Sequence, residues 1–146
     1  MKLSLITGVS KGIRNLAAIA EADGHRNINT LISEFEAGVN CFDKPGEALF
    51  GAYNGTTIVG IGGVNIDPFE NLAVVARVRR VFVAPAVRRR GVASVLMDEI
   101  ERIARGHFSK VQLYTTSATA SHFYIARGYS PVYGRPRVSH EKLFAV

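Results

Sequence analysis

One cysteine, Cys41, is all that the 146-residue sequence carries, so no disulfide can close within it. A framework of bridges is excluded, and a reducing, cytoplasmic compartment is expected. A lone thiol without an activating neighbour reads as a buried filler rather than a nucleophile. The four histidines, His25, His107, His122 and His140, are scattered without spaced Cys or carboxylate partners, so no metal site is expected. No apolar run approaches the roughly 18–20 residues of a membrane span, and no membrane partner is expected. The apolar start is cut short by Gly8, Ser10 and Lys11, which makes a poor signal peptide.

What is present is a hydrophobic fraction of 47%, enough for one sizeable core and too much for a disordered chain. The length suits a single domain over residues 1–146. The net charge is +6, and its location matters more than its size. Arg77, Arg79, Arg80, Arg88, Arg89 and Arg90 lie in one stretch without Asp or Glu. With those six set aside, the remaining twelve Lys and Arg match the twelve Asp and Glu. The chain is thus neutral with one anion-seeking segment.

Periodicity gives the elements. Residues 2–7 read as a strand. Ser10 is a helix N-cap ahead of Ile13, Leu16, Ala17 and Ala20, with Gly24 as the stop. A second helix is expected from Asn29 or Thr30 to near Gly38, burying Leu31, Ile32 and Phe35. Ala48–Tyr53 and Thr57–Ile66 flank Asn54-Gly55, a type I′ hairpin signal. Ala73–Val83 is a long β-branched run. Val78 and Val81 are three apart, Val81 and Val83 two apart. Placing all three on one face requires a β-bulge near Arg79-Arg80. An arginine-rich loop closed by Gly91 leads into a helix with Val92, Val95, Leu96, Ile100 and Ile103 on one face. Val111–Thr115 is a strand, Ala118–Arg127 a helix ended by Gly128. Tyr129–Val132 and Val138–Phe144 are terminal strands. The order β-α-α-β-β-β-α-β-α-β-β is an α/β (α+β) chain: a mixed, mostly antiparallel sheet with helices on both faces.

Chemistry concentrates where the strand ending at Val83 gives way to the helix after Gly91. A helix start offers unpaired N–H groups and the positive end of the helix dipole, a site for a pyrophosphate. Gly91 and Ala93 lack bulk, and arginines can pair with phosphate oxygens. A solvated basic loop is the bland alternative.

Arg88-x-x-Gly91-x-Ala93, following a strand that ends Val81-x-Val83-x-Pro85, resembles the acyl-CoA loop of the GNAT family of N-acetyltransferases. Ala120-Ser121-His122-Phe123-Tyr124-Ile125-Ala126-Arg127-Gly128-Tyr129 resembles that family's second motif, about thirty residues on as in the family. The resemblance covers residues 73–130 by motif and the flanks by element order. It implies the acyl-CoA N-acyltransferase fold and transfer of an acetyl group from acetyl-CoA to a small-molecule or peptide amine. It implies that the backbone of Val81, Phe82 and Val83 pairs with the pantetheine arm. Arg88, Arg89, Arg90, Gly91, Val92 and Ala93 would cradle the pyrophosphate. Phe123 would pack under the cofactor, and Tyr124 would protonate the departing thiolate. A homodimer is compatible with the family.

Two departures stand out. Ser117 occupies a position where the family often has Asn, yet it can still hydrogen-bond the cofactor. Arg77 occupies the place of the usual Glu base. Asp67, Glu70 or His122 could substitute, His122 foremost by intrinsic pKa. Arg77 and Arg79 near the cleft would disfavour a cationic acceptor and favour an anionic one, unless both point to solvent.

Other readings are weaker. Thr7-Gly8-Val9-Ser10-Lys11-Gly12-Ile13-Arg14 resembles a short-chain dehydrogenase turn, but Arg14 stands at its third glycine and no Tyr-x-x-x-Lys pair exists. A nucleic-acid module could use the arginines, but their cluster holds one aromatic, Phe82, and no stacking pattern, so no nucleic acid partner is expected. A CoA-binding domain without catalysis also fits Arg77.

Overall fold

The computed structural model describes residues 1–70 and 72–145. The elements run β1 (Lys2–Leu5), α1 (Lys11–Ala22), α2 (Asn27–Glu36), β2 (Ala48–Asn54), β3 (Thr57–Ile66) and β4 (Val75–Val83). After a 3-10 turn at Pro85–Val87 come α3 (Val92–Arg105), β5 (Lys110–Leu113), α4 (Ala118–Ala126), β6 (Ser130–Pro131) and β7 (His140–Leu143). This is the order the periodicity implies. Among the described residues the strands form one seven-stranded sheet, β1-β2-β3-β4-β5-β7-β6, in which only β4 and β5 run parallel.

Each face of the sheet has its own core. Ile13, Leu16 and Ala20 of α1 and Ile28, Leu31 and Ile32 of α2 pack on Leu49, Ile61 and Phe82. On the other face Leu96, Met97 and Ile100 of α3 pack with Tyr124 of α4 on Val64, Ala76, Val78 and Val111. Ser10 caps α1, its Oγ accepting from Ile13 N at 3.2 Å, and Gly24 ends that helix at φ +85°. Helix α2 begins at Asn27, two or three residues before the expected start at Asn29 or Thr30, and has no side-chain cap. Val95 points outward rather than joining the α3 core, because Met97 and Ala104 fill the inner face.

The bulge lies where the spacing requires it. Val78 pairs with Val64 and Arg79 with Gly63, but Phe82 pairs with Ile61, so β4 spends one extra residue there. Arg80 takes it up at φ +60°. Val78, Val81 and Val83 therefore share the α3 face, while Arg77, Arg79 and Phe82 share the other.

The hairpin turn differs from expectation. Asn54 pairs with Thr57, so the two-residue loop is Gly55-Thr56. Only Gly55 has positive φ, +63°, which suits a II′ turn with glycine first rather than a I′ turn. A register shift at Ala52/Tyr53 causes the slip. The later strands are also shorter than their apolar runs. β5 stops at Leu113, and β6 holds two residues.

Candidate functional site

The parallel pairing of β4 and β5 covers three residue pairs, Val75 with Lys110, Ala76 with Val111 and Arg77 with Gln112. Beyond Arg77 the two strands part, and β4 continues for six residues with no strand on that side among the described residues. A groove of about 800 Å³ occupies the parting. Phe82, His25 and Asn27 line it from the α1–α2 face, and Ala93, Phe123 and Tyr124 from the α3–α4 face. The groove therefore passes between the strands from one side of the sheet to the other. Val81, Val83, Arg88, Arg89 and Ser117 also line it. Eleven of the twelve residues singled out from the sequence border this groove or an adjoining one of about 310 Å³, which adds Gly91 and Val92. Arg90 borders neither and is exposed.

The loop between β4 and α3 leaves an uncapped helix start open. Arg89 and Gly91 both sit at positive φ, +65° and +79°. No side chain caps α3, and its first helical bond runs from Val95 N to Gly91 O. The first-turn N–H groups and the helix dipole thus face an uncapped end. A Cβ built on Gly91 would meet nothing within 4 Å, so the space before the helix is open. Arg88 does not float there. Its Nε donates to Val83 O at 3.1 Å and its Nη2 to Asp23 at 2.6 Å, with the guanidinium over Phe82. Ser117 caps α4, accepting from Ala120 N at 3.1 Å, so its hydroxyl proton is what it has left to offer.

Tyr124 is buried in α4 between Phe123 and Tyr129, both edge-on at 5.1 and 5.3 Å between ring centroids. Its hydroxyl has no hydrogen-bond partner among the described residues, and the residue lines the groove. Burial pushes its phenol up to about 12, with Glu101 adding to the rise and Arg127 opposing it. Beside it, His140 is held between two serines, Ser139 Oγ at 2.8 Å from Nδ1 and Ser121 Oγ at 2.9 Å from Nε2. Burial lowers the His140 pKa, which favours the neutral ring.

Arg77 is not turned to solvent. It is 5% exposed and donates through Nε to Asp67 at 2.8 Å, while Asp67 is 1% exposed. Gln112 donates to the same Asp67 oxygen at 2.8 Å and to Glu70 at 3.0 Å, and Arg135 closes on Glu70. Asp67 and Glu70 are thus committed to this brace, and His122 is exposed outside the groove. None of the three substitutes for the missing base borders the groove. His25, 3.5 Å from Asp23 and packed on Phe82, is the imidazole that does. Neither His25 nor Asn27, whose Nδ2 donates to Val81 O at 3.4 Å, stands in a motif, so the sequence does not single them out.

Residues 45–131 match the family described as the acetyltransferase (GNAT) domain. A candidate acetyltransferase of Exiguobacterium sp. 255-15 superposes with a TM-score of 0.83 at 22% identity, over 98% of this chain and 94% of that one. The ribosomal-protein-alanine N-acetyltransferase of Brucella melitensis gives 0.73 at 15%, over 99% and 100%. The PaiA N-acetyltransferase of Thermoplasma acidophilum, solved with coenzyme A, gives 0.67 at 14%, over 99% and 100%. At these identities the likeness is one of fold. No curated protein sequence matches the chain.

The brace at the parting makes a stability prediction. Asp67→Ala leaves the Arg77 cation buried without its partner and should cost about 3–5 kcal/mol in urea unfolding. A loss below about 1 kcal/mol would mean that solvent or another acid compensates Arg77.

Proposed function

Because the chain belongs to the acetyltransferase (GNAT) domain family, we propose that it is an acetyl-CoA-dependent N-acetyltransferase acting on an amine. The observation that carries this reading is the single groove bordered by the unpaired edge of β4, the β4–α3 loop and Tyr124. An extended amide chain can add to a strand edge by backbone hydrogen bonds, and Val81–Val83 offer an edge that no strand covers, where side chains of Asn27 and Arg88 now donate to the Val81 and Val83 carbonyls. The N–H groups at the start of α3, with Arg89, would hold a pyrophosphate beside Arg88, whose charge Asp23 already meets, and exposed Arg90 would add charge at the rim. Phe123 would pack under the arm, and Ser117 would donate to it from the cap of α4. Bound there, acetyl-CoA supplies an acyl thioester in the parting of the strands.

The acceptor amine attacks the acyl carbon, forming the C–N bond as the C–S bond breaks. Tyr124 gives its hydroxyl proton toward the leaving sulfur and is reprotonated by the proton the amine sheds. A phenol near 12 is a weaker acid than a thiol near 8.5, so Tyr124 acts through a hydrogen bond that strengthens as negative charge gathers on sulfur. No carboxylate lines the groove among the described residues, which supports an acceptor that arrives as the neutral amine.

The donor site is tested by Gly91→Asp. The Cβ has room, but at φ +79° an Asp is strained by about 1 kcal/mol, so the fold should survive with a melting temperature lowered by a few degrees. The carboxylate would stand where phosphate belongs. Acetyl-CoA should stabilise the wild type in a thermal-shift titration and leave the variant unmoved. A wild type that saturating acetyl-CoA does not stabilise refutes the assignment.

Tyr124→Phe keeps the ring and loses the proton. It should lower kcat by roughly 10²–10⁴-fold with acetyl-CoA affinity within a few-fold. The phenol loses its proton only near 12, so the protonated, active form persists through the alkaline range. Wild type and variant should share one pH profile between about pH 6 and 10. Unchanged kcat with chemistry limiting would make Tyr124 a packing residue.

A further inference from the structure

The face of the sheet under α2 carries a second pocket, of about 420 Å³. Its wall includes Glu34, Asn40, Asn65, Asp67, Phe69 and Arg79. It is close to the parting by construction. Arg79 precedes Val81 by two residues on β4, and Glu34 follows Asn27 by two turns on α2; Val81 and Asn27 both line the groove. The groove opens to this face at Phe82 and Asn27. An acceptor lodged in the pocket would thus reach a thioester from the side opposite Tyr124 and Phe123.

Among the described residues, the polar groups of the wall that are not exposed at its rim are satisfied within the protein, with one exception. Asn40 and Asn65 bond each other through both amides at 2.8 and 3.0 Å. Asp67 is taken by Arg77 and Gln112, and Glu34 by Arg80 at 2.9 Å. Glu47 accepts from the backbone N–H groups of Lys44 and Ile66. Asp43 and Lys44 are exposed at the rim. Arg79 is half-buried, and among the described residues no acid lies within ion-pair distance of its guanidinium. Burial and the neighbouring charges of Arg80 and Arg77 act against its cationic form, and Glu34 and Asp67 only partly offset them. A cation held this way is stabilised most by an anion that comes in from outside.

Resting on the acetyltransferase reading above, we infer that this pocket is the acceptor site and that Arg79 binds a carboxylate of the acceptor, making the substrate a small amino acid-like amine. The pocket is at the small end of ligand sites, which suits a metabolite rather than a folded protein. Phe69, half exposed in the wall, offers an apolar surface to the acceptor's side chain. Arg77 takes no part in binding charge, because Asp67 already neutralises it.

The experiment measures acetyl-CoA-dependent thiol release with the standard amino acids, each against its carboxamide. At least one amino acid should exceed its carboxamide by about 10–100-fold in kcat/KM, the worth of one hydrogen-bonded charge pair. The difference should sit in KM. Arg79→Gln should erase the gap by raising KM for the amino acid while kcat stays within a few-fold, and Arg79→Lys should restore part of it. Equal use of the two series, preference for polycationic acceptors, or no use of any amino acid overturns the acceptor assignment. It does so alone if acetyl-CoA still stabilises the wild type thermally. If acetyl-CoA does not, the donor reading falls as well.

Discussion

The separation of β4 from β5 after Arg77 is the constraint on which the rest of the site depends. Two parallel strands that stayed paired would close the sheet and bury their edges. Here pairing ends after three residues, and two local devices hold it open. The bulge at Arg80 turns the far half of β4, so that Val81 and Val83 follow Val78 on the α3 face. The buried brace of Arg77, Asp67 and Gln112 pins the last paired position from both strands at once. One polar cluster thus fixes where the strands stop pairing, and the strand edge, the α3 start and Tyr124 are arranged around that point.

The arginines of this stretch have different fates, and net charge alone could not sort them. Arg77 and Arg80 are matched to Asp67 and Glu34, and Arg88 to Asp23. Those acids lie on other elements, 10, 46 and 65 residues away. The segment is therefore less anion-seeking than its composition suggests. What is left is Arg89 and Arg90 by the α3 start, and Arg79 under α2. Two separate anion demands on opposite sides of one parting fit a bisubstrate enzyme whose donor carries phosphates and whose acceptor carries a carboxylate.

Much of this was legible because it is local. The N-cap Ser10, the stops at Gly24 and Gly128 and the spacing of Val78, Val81 and Val83 are short-range facts of steric and hydrogen-bond geometry. The turn at Gly55-Thr56 was missed by one residue, since the bulge at Ala52/Tyr53 that shifts it has no side-chain signal. Val95 looked like core by period, but the rotation of α3 is set by Met97 and Ala104 meeting the sheet. Asp67 as the partner of Arg77, and the second pocket itself, arise from contacts between distant segments. No pattern within a window reports them.

The account stands on the free edge of β4 as the place where the donor lies. Amide hydrogen exchange, read residue by residue with and without coenzyme A, tests this directly. Ligand should slow exchange at Val81–Val83 and at the first turn of α3, Val92–Ser94, while β2 and β3 change little. Protection confined to other segments, with residues 81–83 and 92–94 unchanged at saturating coenzyme A, would contradict it.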